Sequence, residues 1–410
     1  MPSLRARLER HLHILVEEVG ARPPGSPANR RACDHAAAVL RAAGLEVVEH
    51  PFTTRWWEPG PGWIETTGGR VEATPDPYSV ACDVRGHALR VATAEALEGL
   101  VPAEGRILVL HDELTREQLT PEAFPFLDPA AHAAVRSTLA RLHPPAVISL
   151  TDHWEPILED PDLGLASTTL PTAADVGLAD GAEVRVVLGG TVHEGTGRTV
   201  TALSGPRDGR LVLSAHLDAK ATTPGAFDNA GSVAVLLALA EQGLEGLAPV
   251  EVVLFNGEDH FDACGEVAWL AATDLSEVAA NLNLDGIGLA GGGTSVASLS
   301  CPPALAEAVC AWVDRRPGWW RAEPWIESDH ALFALAGIPA LALTSEDVHA
   351  LLGGIAHTPR DTLDVLDLDL LVDVATALPE LAALLREVDA ARSRAPGGSA
   401  DGRRGRVAPR

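Results

Sequence analysis

The stretch Leu211 to Ala240, LVLSAHLDAKATTPGAFDNAGSVAVLLALA, constrains this chain more than any other. Its apolar opening, Leu211-Val212-Leu213, reads as a short buried strand. The run gives way to His216 and Asp218, passes through Thr-Pro-Gly and reaches Asp228-Asn229. The apolar residues Val233 to Ala240 then predict a buried helix ending near Gly243. A strand that delivers His, Asp and a second Asp into one loop region gathers donors that suit metal ions. Imidazole nitrogen and carboxylate oxygen fit zinc, and a carboxylate can bridge two ions. Taken alone, the same pattern fits a strand-end His216 hydrogen-bonded to Asp218, so the rest of the chain has to decide.

A chain of 410 residues has room for two or three domains, or for one large domain with an insertion. Its 57 Asp and Glu against 31 Lys and Arg leave a formal charge of -26. That balance argues against nucleic acid and anionic membrane surfaces as partners; it is compatible with a cationic group such as a peptide amino terminus and equally with a simply solvated acidic surface. The five cysteines, Cys33, Cys82, Cys264, Cys301 and Cys310, form no CxxC pair, so they suggest neither a disulfide framework nor a structural zinc site. The opening MPSLRARLERHLHILVEEVG has no apolar h-region and no stretch is long enough to span a membrane, which sets the expectation of a cytoplasmic protein.

Taken in order, residues 4–20 and 30–43 have helical spacing and 45–52 alternates as a strand. A segment with Trp56, Trp57 and Trp63 follows, read as locally packed aromatics rather than a substrate wall. Residues 85–190 keep a strand-helix-strand rhythm without gathering metal ligands. They are expected to form an inserted β-rich lobe in which His111, His132, His143 and His153 are surface or packing residues. From about 191 the main sheet resumes. Val250 to Phe255 is a buried strand leading to Glu258-Asp259, and Asn281 to Leu284 is another leading to Asp285. Ser328-Asp329-His330 precedes a helix, Ile338 to Thr344 is a strand, and His357 sits in a loop. Leu363 to Val388 should be one helix broken near Pro379, and 391–410 should be disordered. The expected division is therefore 1–84 and 191–390 for the main domain, 85–190 for the lobe and 391–410 for the tail.

Three apolar strands thus end on metal-competent residues, and in open α/β sheets sites form outside the carboxyl ends of strands. The segments HLD at 216–218, PGAFDNAGSVAVLL at 224–237, FNGED at 255–259, NLNLDG at 281–286, SDHALFALAGIPA at 328–340 and HTPRDT at 357–362 together resemble the M28 family of zinc metallopeptidases, which are mainly aminopeptidases. The resemblance covers the amino-terminal helices and about 200–390. It implies a three-layer α/β/α fold with a mixed, mostly parallel central sheet, and it makes the lobe similar in placement to a protease-associated domain. It also implies two Zn2+ ions, or another divalent metal, with His216 on one ion and His357 on the other. Asp228 would bridge the two, Asp259 and Asp285 would each complete one ligand set, and Asp218 would orient the ring of His216. Glu258 would be the general base. The implied activity is hydrolysis of the amino-terminal bond of a peptide with a free amino terminus. The alternatives are a single-zinc acyltransferase like glutaminyl cyclase, or a non-enzymatic binding protein that kept the fold. Oligomeric state is not legible.

Two departures from the family pattern stand out. Asp259 occupies a position where the family usually has Glu, so the strand end must come closer to its ion. Ala356 occupies a position where Tyr is common, so that hydroxyl is missing. His330 reads equally as a pocket residue and as a histidine packed beside Phe333, while His260 and His349 adjoin the motifs without being assigned as ligands.

Overall fold

The computed structural model describes residues 2–153, 155–174, 177–346 and 354–394, with side chains up to 386. His349 and the tail from 395 onward lie outside the described residues. Contacts divide the chain into two compact units, 1–54 with 196–409, and 55–195. The expected division placed 55–84 with the main domain, whereas its contacts group it with the second unit.

The first unit is built on a mixed, mostly parallel sheet. Its strands stand in the spatial order Trp319–Arg321, Thr294–Leu299, Ala340–Ser345, Val278–Leu284, Arg210–His216, Val250–Phe255 and the closing part of Glu183–Ser204. Val278–Leu284 runs parallel to both Ala340–Ser345 and Arg210–His216, and the latter runs parallel to Val250–Phe255. Arg210–His216 and Val250–Phe255 are buried throughout, as parallel strands covered on both faces must be. Val250, Val252 and Leu254 face one helical layer and Phe255 faces the other, because successive side chains alternate across a strand.

The first layer packs the helix Gly231–Gln242 against Leu4–Leu12, Pro27–Ala42 and Leu368–Arg394. Gly231 to Ala240 is buried on every side, which explains why its sequence lacks a polar stripe. On the other face, Trp269 of the helix Cys264–Ala272 meets Phe255 edge-on at 5.2 Å and Phe333 of the helix His330–Leu335 at 5.5 Å. The unit is therefore the expected three-layer α/β/α arrangement.

Local chemistry explains several boundaries. Ser26 accepts a hydrogen bond from Asn29 N at 3.0 Å and Pro27 opens the helix, so it begins three residues before its apolar periodicity does. Pro379 lies inside the Leu368–Arg394 helix, which continues without the expected break. None of the helices among the described residues is long and apolar enough to cross a membrane.

In the second unit, the parallel strands Cys82–Val91, Arg106–Leu110, Val147–Leu150 and Ser167–Leu170 lie side by side. The helix Ala130–Leu142 contributes Val135, Leu139 and Leu142 to the core on one face of these strands. Ile64 and Ala73, from the region of the hairpin between Glu46–Thr66 and Gly69–Glu72, join the core on the other. The Trp-rich segment is strand rather than loop, despite Pro59 and Pro61. Gly60 permits this, since a Cβ there would stand 2.5 Å from the backbone nitrogen of Gly190. The tryptophans pack locally: Trp57 is buried, Trp56 stacks on His193 at 4.3 Å, and Arg70 lies 4.1 Å over Trp63.

A buried pair in the first helical layer generates a test. His11 Nδ1 lies 2.9 Å from His35 Nε2, with Arg10 and Glu241 alongside. Burial, with His35 and Arg10 adding to it and Glu241 opposing, pushes His11 down from 6.5 to about 4. Between those pH values the unfolded chain takes up a proton that the folded chain refuses. The contribution of His11 is therefore complete above about 6.5 and shrinks as pH falls toward about 4. Denaturant unfolding across that window should show His11→Gln losing less stability on acidification than the parent; identical slopes would contradict this reading.

Candidate metal centre

Three neighbouring strands deliver the site because they are parallel and in register. His216 is the last residue of its strand and pairs with Phe255, the last of the next. Asp285 follows directly on the strand Val278–Leu284. The carboxyl ends of the three strands therefore lie together, and the loops that leave them carry Asp228, Glu258 and Asp259. His357 arrives from the segment before the last long helix, with a left-handed backbone at φ 57° that is costly for a non-glycine residue.

The side chains converge around Asp228. Its Oδ1 lies 3.0 Å from His216 Nε2 and its Oδ2 lies 3.0 Å from His357 Nε2. On the outer side of His216 stands Asp285 Oδ1, at 3.4 Å from the same Nε2. On the outer side of His357 stands Asp259 Oδ1, at 2.7 Å. Glu258 Oε2 is 4.0 Å from His216 Nε2, and its side chain keeps 18% exposure, more than any of these ligand-type groups. All five residues expected as ligands, together with Glu258, thus lie in one cluster.

Electrostatics follow from burial and proximity. For His216, burial disfavours the charged ring, but Asp285, Asp228 and Glu258 outweigh it and raise its pKa well above the ordinary value. Burial would raise Asp228, yet the two histidines hold it below the ordinary carboxylate range. Asp259 is lowered in the same way, with His357 overcoming burial. Glu258 goes the other way: burial raises it, and Asp285, Asp259 and Asp228 add to the rise against His216. Adjacent carboxylates are thus pushed apart by their surroundings.

Backbone donors hold the acidic loops in place. Asp218, fully buried, accepts from Gly257 N at 2.8 Å and Asp259 N at 3.1 Å. Its Oδ1 is 3.8 Å from His216 Nδ1, too far for the hydrogen bond expected there, because both oxygens are engaged by the Glu258-Asp259 turn. Asp361 does for Asp228 what Asp218 does for Asp259, accepting from Phe227 N at 2.6 Å and Asp228 N at 3.1 Å. Asn229 ties this loop to the strand end bearing Asp285, donating to Leu284 O at 3.0 Å and accepting from Gly286 N at 3.3 Å. Beneath them lies Arg22, fully buried, which donates to Leu217 O, Pro224 O and Gly225 O at 2.7, 2.7 and 2.9 Å.

Sequence reasoning gave no role to Arg22, Asn229 or Asp361. Asp361 sits in a quoted segment, HTPRDT, and Asn229 beside Asp228, but Arg22 lies in a loop without any motif. His330 resolves as a packed residue: it is buried, its Nε2 is 2.7 Å from Trp325 O, and its ring meets Trp325 edge-on at 4.3 Å. Ala356 is fully buried.

The residues fit a metal ion. Neither ring nitrogen of the buried His216 meets a partner in hydrogen-bond geometry, and Asp259 Oδ2 is likewise buried without one. Imidazole and carboxylate donors aimed into one cleft, with such orphaned atoms, are the chemistry of a zinc-class site. His216, Asp228 and Asp259 present donor atoms within 4.8 Å of one another.

Residues 198–382 match the model of peptidase family M28. The match supports a hydrolase acting on peptides. No curated protein matches the sequence. Among solved structures, the chain is similar to an aminopeptidase from Aneurinibacillus sp. strain AM-1, with a TM-score of 0.71 and 20% identity over 93% of each chain. It is similar to a zinc aminopeptidase from Bacillus subtilis, with a TM-score of 0.69 and 17% identity over 94% of each. A peptidase M28 precursor from Shewanella amazonensis gives 0.70 and 18% over 93% of this chain and 95% of that one. At these identities the likeness is one of fold.

Asp361 allows the framework of the candidate site to be tested through stability alone. Asp361→Ala strands two buried N–H groups, at a cost of about 1–3 kcal/mol each. Thermal and denaturant unfolding should register a loss of that order; an unchanged midpoint would remove Asp361 from the framework of the site.

Proposed function

We propose that the chain is a zinc-dependent aminopeptidase that removes the amino-terminal residue of a peptide, using two ions and Glu258 as general base. The observation that carries this reading is Asp228, which turns one oxygen to His216 and the other to His357 at equal distances of 3.0 Å. His216, Asp228 and Asp285 would hold one ion; His357, Asp228 and Asp259 would hold the other. When bound, such a pair polarises the scissile carbonyl and makes water acidic enough to attack at neutral pH.

The remaining work belongs to the protein. Glu258 and Asp259 are adjacent, and their side chains cannot address one ion with the same geometry. Asp259 is turned to His357, and Glu258 is the more exposed of the two and so the more accessible to water. There Glu258 takes a proton from the attacking water and returns it to the leaving amine. Burial and neighbouring carboxylates favour its protonated form, and cations beside it favour the carboxylate, so its affinity for a proton is set between the two. The acidic cleft of a chain with charge -26 supports selection of a substrate with a free, cationic amino terminus.

Metal content and turnover measured on the same preparation test the assignment. Glu258→Gln should keep two ions per chain and lower kcat by about 10²–10⁴-fold. Loss of metal in that variant would make Glu258 a ligand instead, and full activity would remove it from the mechanism. His216→Ala and His357→Ala should lose metal and activity together. A single ion per parent chain would favour the glutaminyl cyclase-like alternative. An aminoacyl-arylamide panel, read beside its amino-acetylated counterparts, tests the free-amine requirement: equal cleavage of both would sink it.

A further inference from the structure

Among the described residues, a second group of side chains meets the geometry of a metal site. After Glu258-Asp259 the chain makes two consecutive hydrogen-bonded turns, His260 N to Gly257 O at 3.2 Å and Ala263 N to His260 O at 3.2 Å. It then bends through a left-handed residue, Ala263 at φ 43°, into the helix Cys264–Ala272. This winding gathers His260, Asp262 and Cys264, whose donor atoms all lie within 4.8 Å of one another. His260 and Cys264 are buried, and the side chain of Asp262 is 21% exposed. The hydroxyl of Thr54 stands at the same place, 2.9 Å from His260 Nε2 and 2.9 Å from Asp262 Oδ2. Asp262 Oδ1 is buried without a hydrogen-bond partner.

We propose that His260, Asp262 and Cys264 bind a divalent ion of the zinc class at a site of their own, distinct from the Asp228 cluster. Bond lengths of about 2.0–2.3 Å around a tetrahedral ion put its donors about 3.3–3.8 Å apart. His260 Nε2 and Asp262 Oδ1 are 3.8 Å apart, so small side-chain movements bring them onto one ion. One imidazole, one carboxylate and one thiolate form a mixed N/O/S set, which selects zinc-like ions over calcium or magnesium. Binding releases the thiol proton of Cys264 to solvent and leaves a metal–thiolate bond. The buried hydroxyl of Thr54 is placed to supply the fourth contact. The site would clamp the turn that carries Glu258 and Asp259 to the strand at Thr54.

The Asp228 cluster contains no sulfur, so a thiolate signature reports on this second site whatever becomes of the aminopeptidase reading. The experiment is cobalt(II) titration of the full-length protein, followed by the sulfur-to-cobalt charge-transfer absorption in the near ultraviolet. The parent should develop the band to one equivalent, and His216→Ala should keep it. Cys264→Ser should abolish it, and His260→Ala should weaken its cobalt affinity by at least 10-fold. A parent protein without the band would overturn the proposal outright, whether or not any variant folds. Survival of the band in Cys264→Ser would assign it to another thiol, and a band indifferent to His260→Ala would reduce it to a lone cysteine; either result also overturns the site.

Discussion

Repulsion among carboxylates is the constraint on which this structure turns. Asp218, Asp228, Glu258, Asp259, Asp285 and Asp361 are all drawn into or beneath one cleft of a chain whose charge is already -26. Two like charges about 4 Å apart oppose each other by about 4 kcal/mol at an effective dielectric near 20. Without compensation the loops would separate. The fold offsets the repulsion in three ways: histidines between carboxylates, backbone N–H groups on the deeper ones, and the charge of Arg22 below. Burial lowers the proton affinity of Arg22, while Asp361, Asp218, Asp228 and Asp259 raise it again. Its guanidinium thus neutralises the layer that supports the cleft while its N–H groups hold the loop from Leu217 to Gly225.

The division of labour among the acids follows from depth. Asp218 and Asp361 accept backbone N–H bonds, and burial still pushes them up to about 6 and about 7. They shape the loops rather than face the cleft. Asp228 and Asp259 touch histidines and are held low, suited to cation binding. Glu258 stands farther from a histidine, 4.0 Å from His216, and is raised by burial and by Asp285, Asp259 and Asp228. One functional group, the carboxylate, with small differences in neighbours, thereby suits the three roles of the proposed site: support, ligand and proton acceptor.

Legibility in the sequence tracked the kind of interaction. Apolar strands that stop abruptly at a charged residue are conspicuous, so His216, Glu258-Asp259 and Asp285 were visible, as was the buried helix after Asp228. Individual helices and strands followed from the same periodicities, whereas the layers and the mostly parallel sheet were legible only through the family resemblance. Bonds from a side chain to the backbone leave no periodic trace, so the grip of Arg22 and the capping by Asp361 were invisible, and Asp218 was given the wrong acceptor geometry. The strand continuing to Thr66 was hidden by Pro59 and Pro61, which normally signal a turn; Gly60 makes the close backbone approach that rescues it. The grouping of His260, Asp262 and Cys264 was obscured because they alternate with other residues across tight turns and match no spacing rule for metal ligands.

One of the two departures in sequence, Asp259, acquires a physical meaning from its contacts. Asp259 is one methylene shorter than the Glu usual at its position, so its backbone must stand nearer the site. Asp218 draws on that backbone directly through Asp259 N, and His357 meets the shortened carboxylate at 2.7 Å from a left-handed conformation. The left-handed His357 and the short side chain of Asp259 meet at one contact, where a longer carboxylate would crowd the imidazole unless the backbone relaxed. A change at either position therefore alters what the other must accommodate.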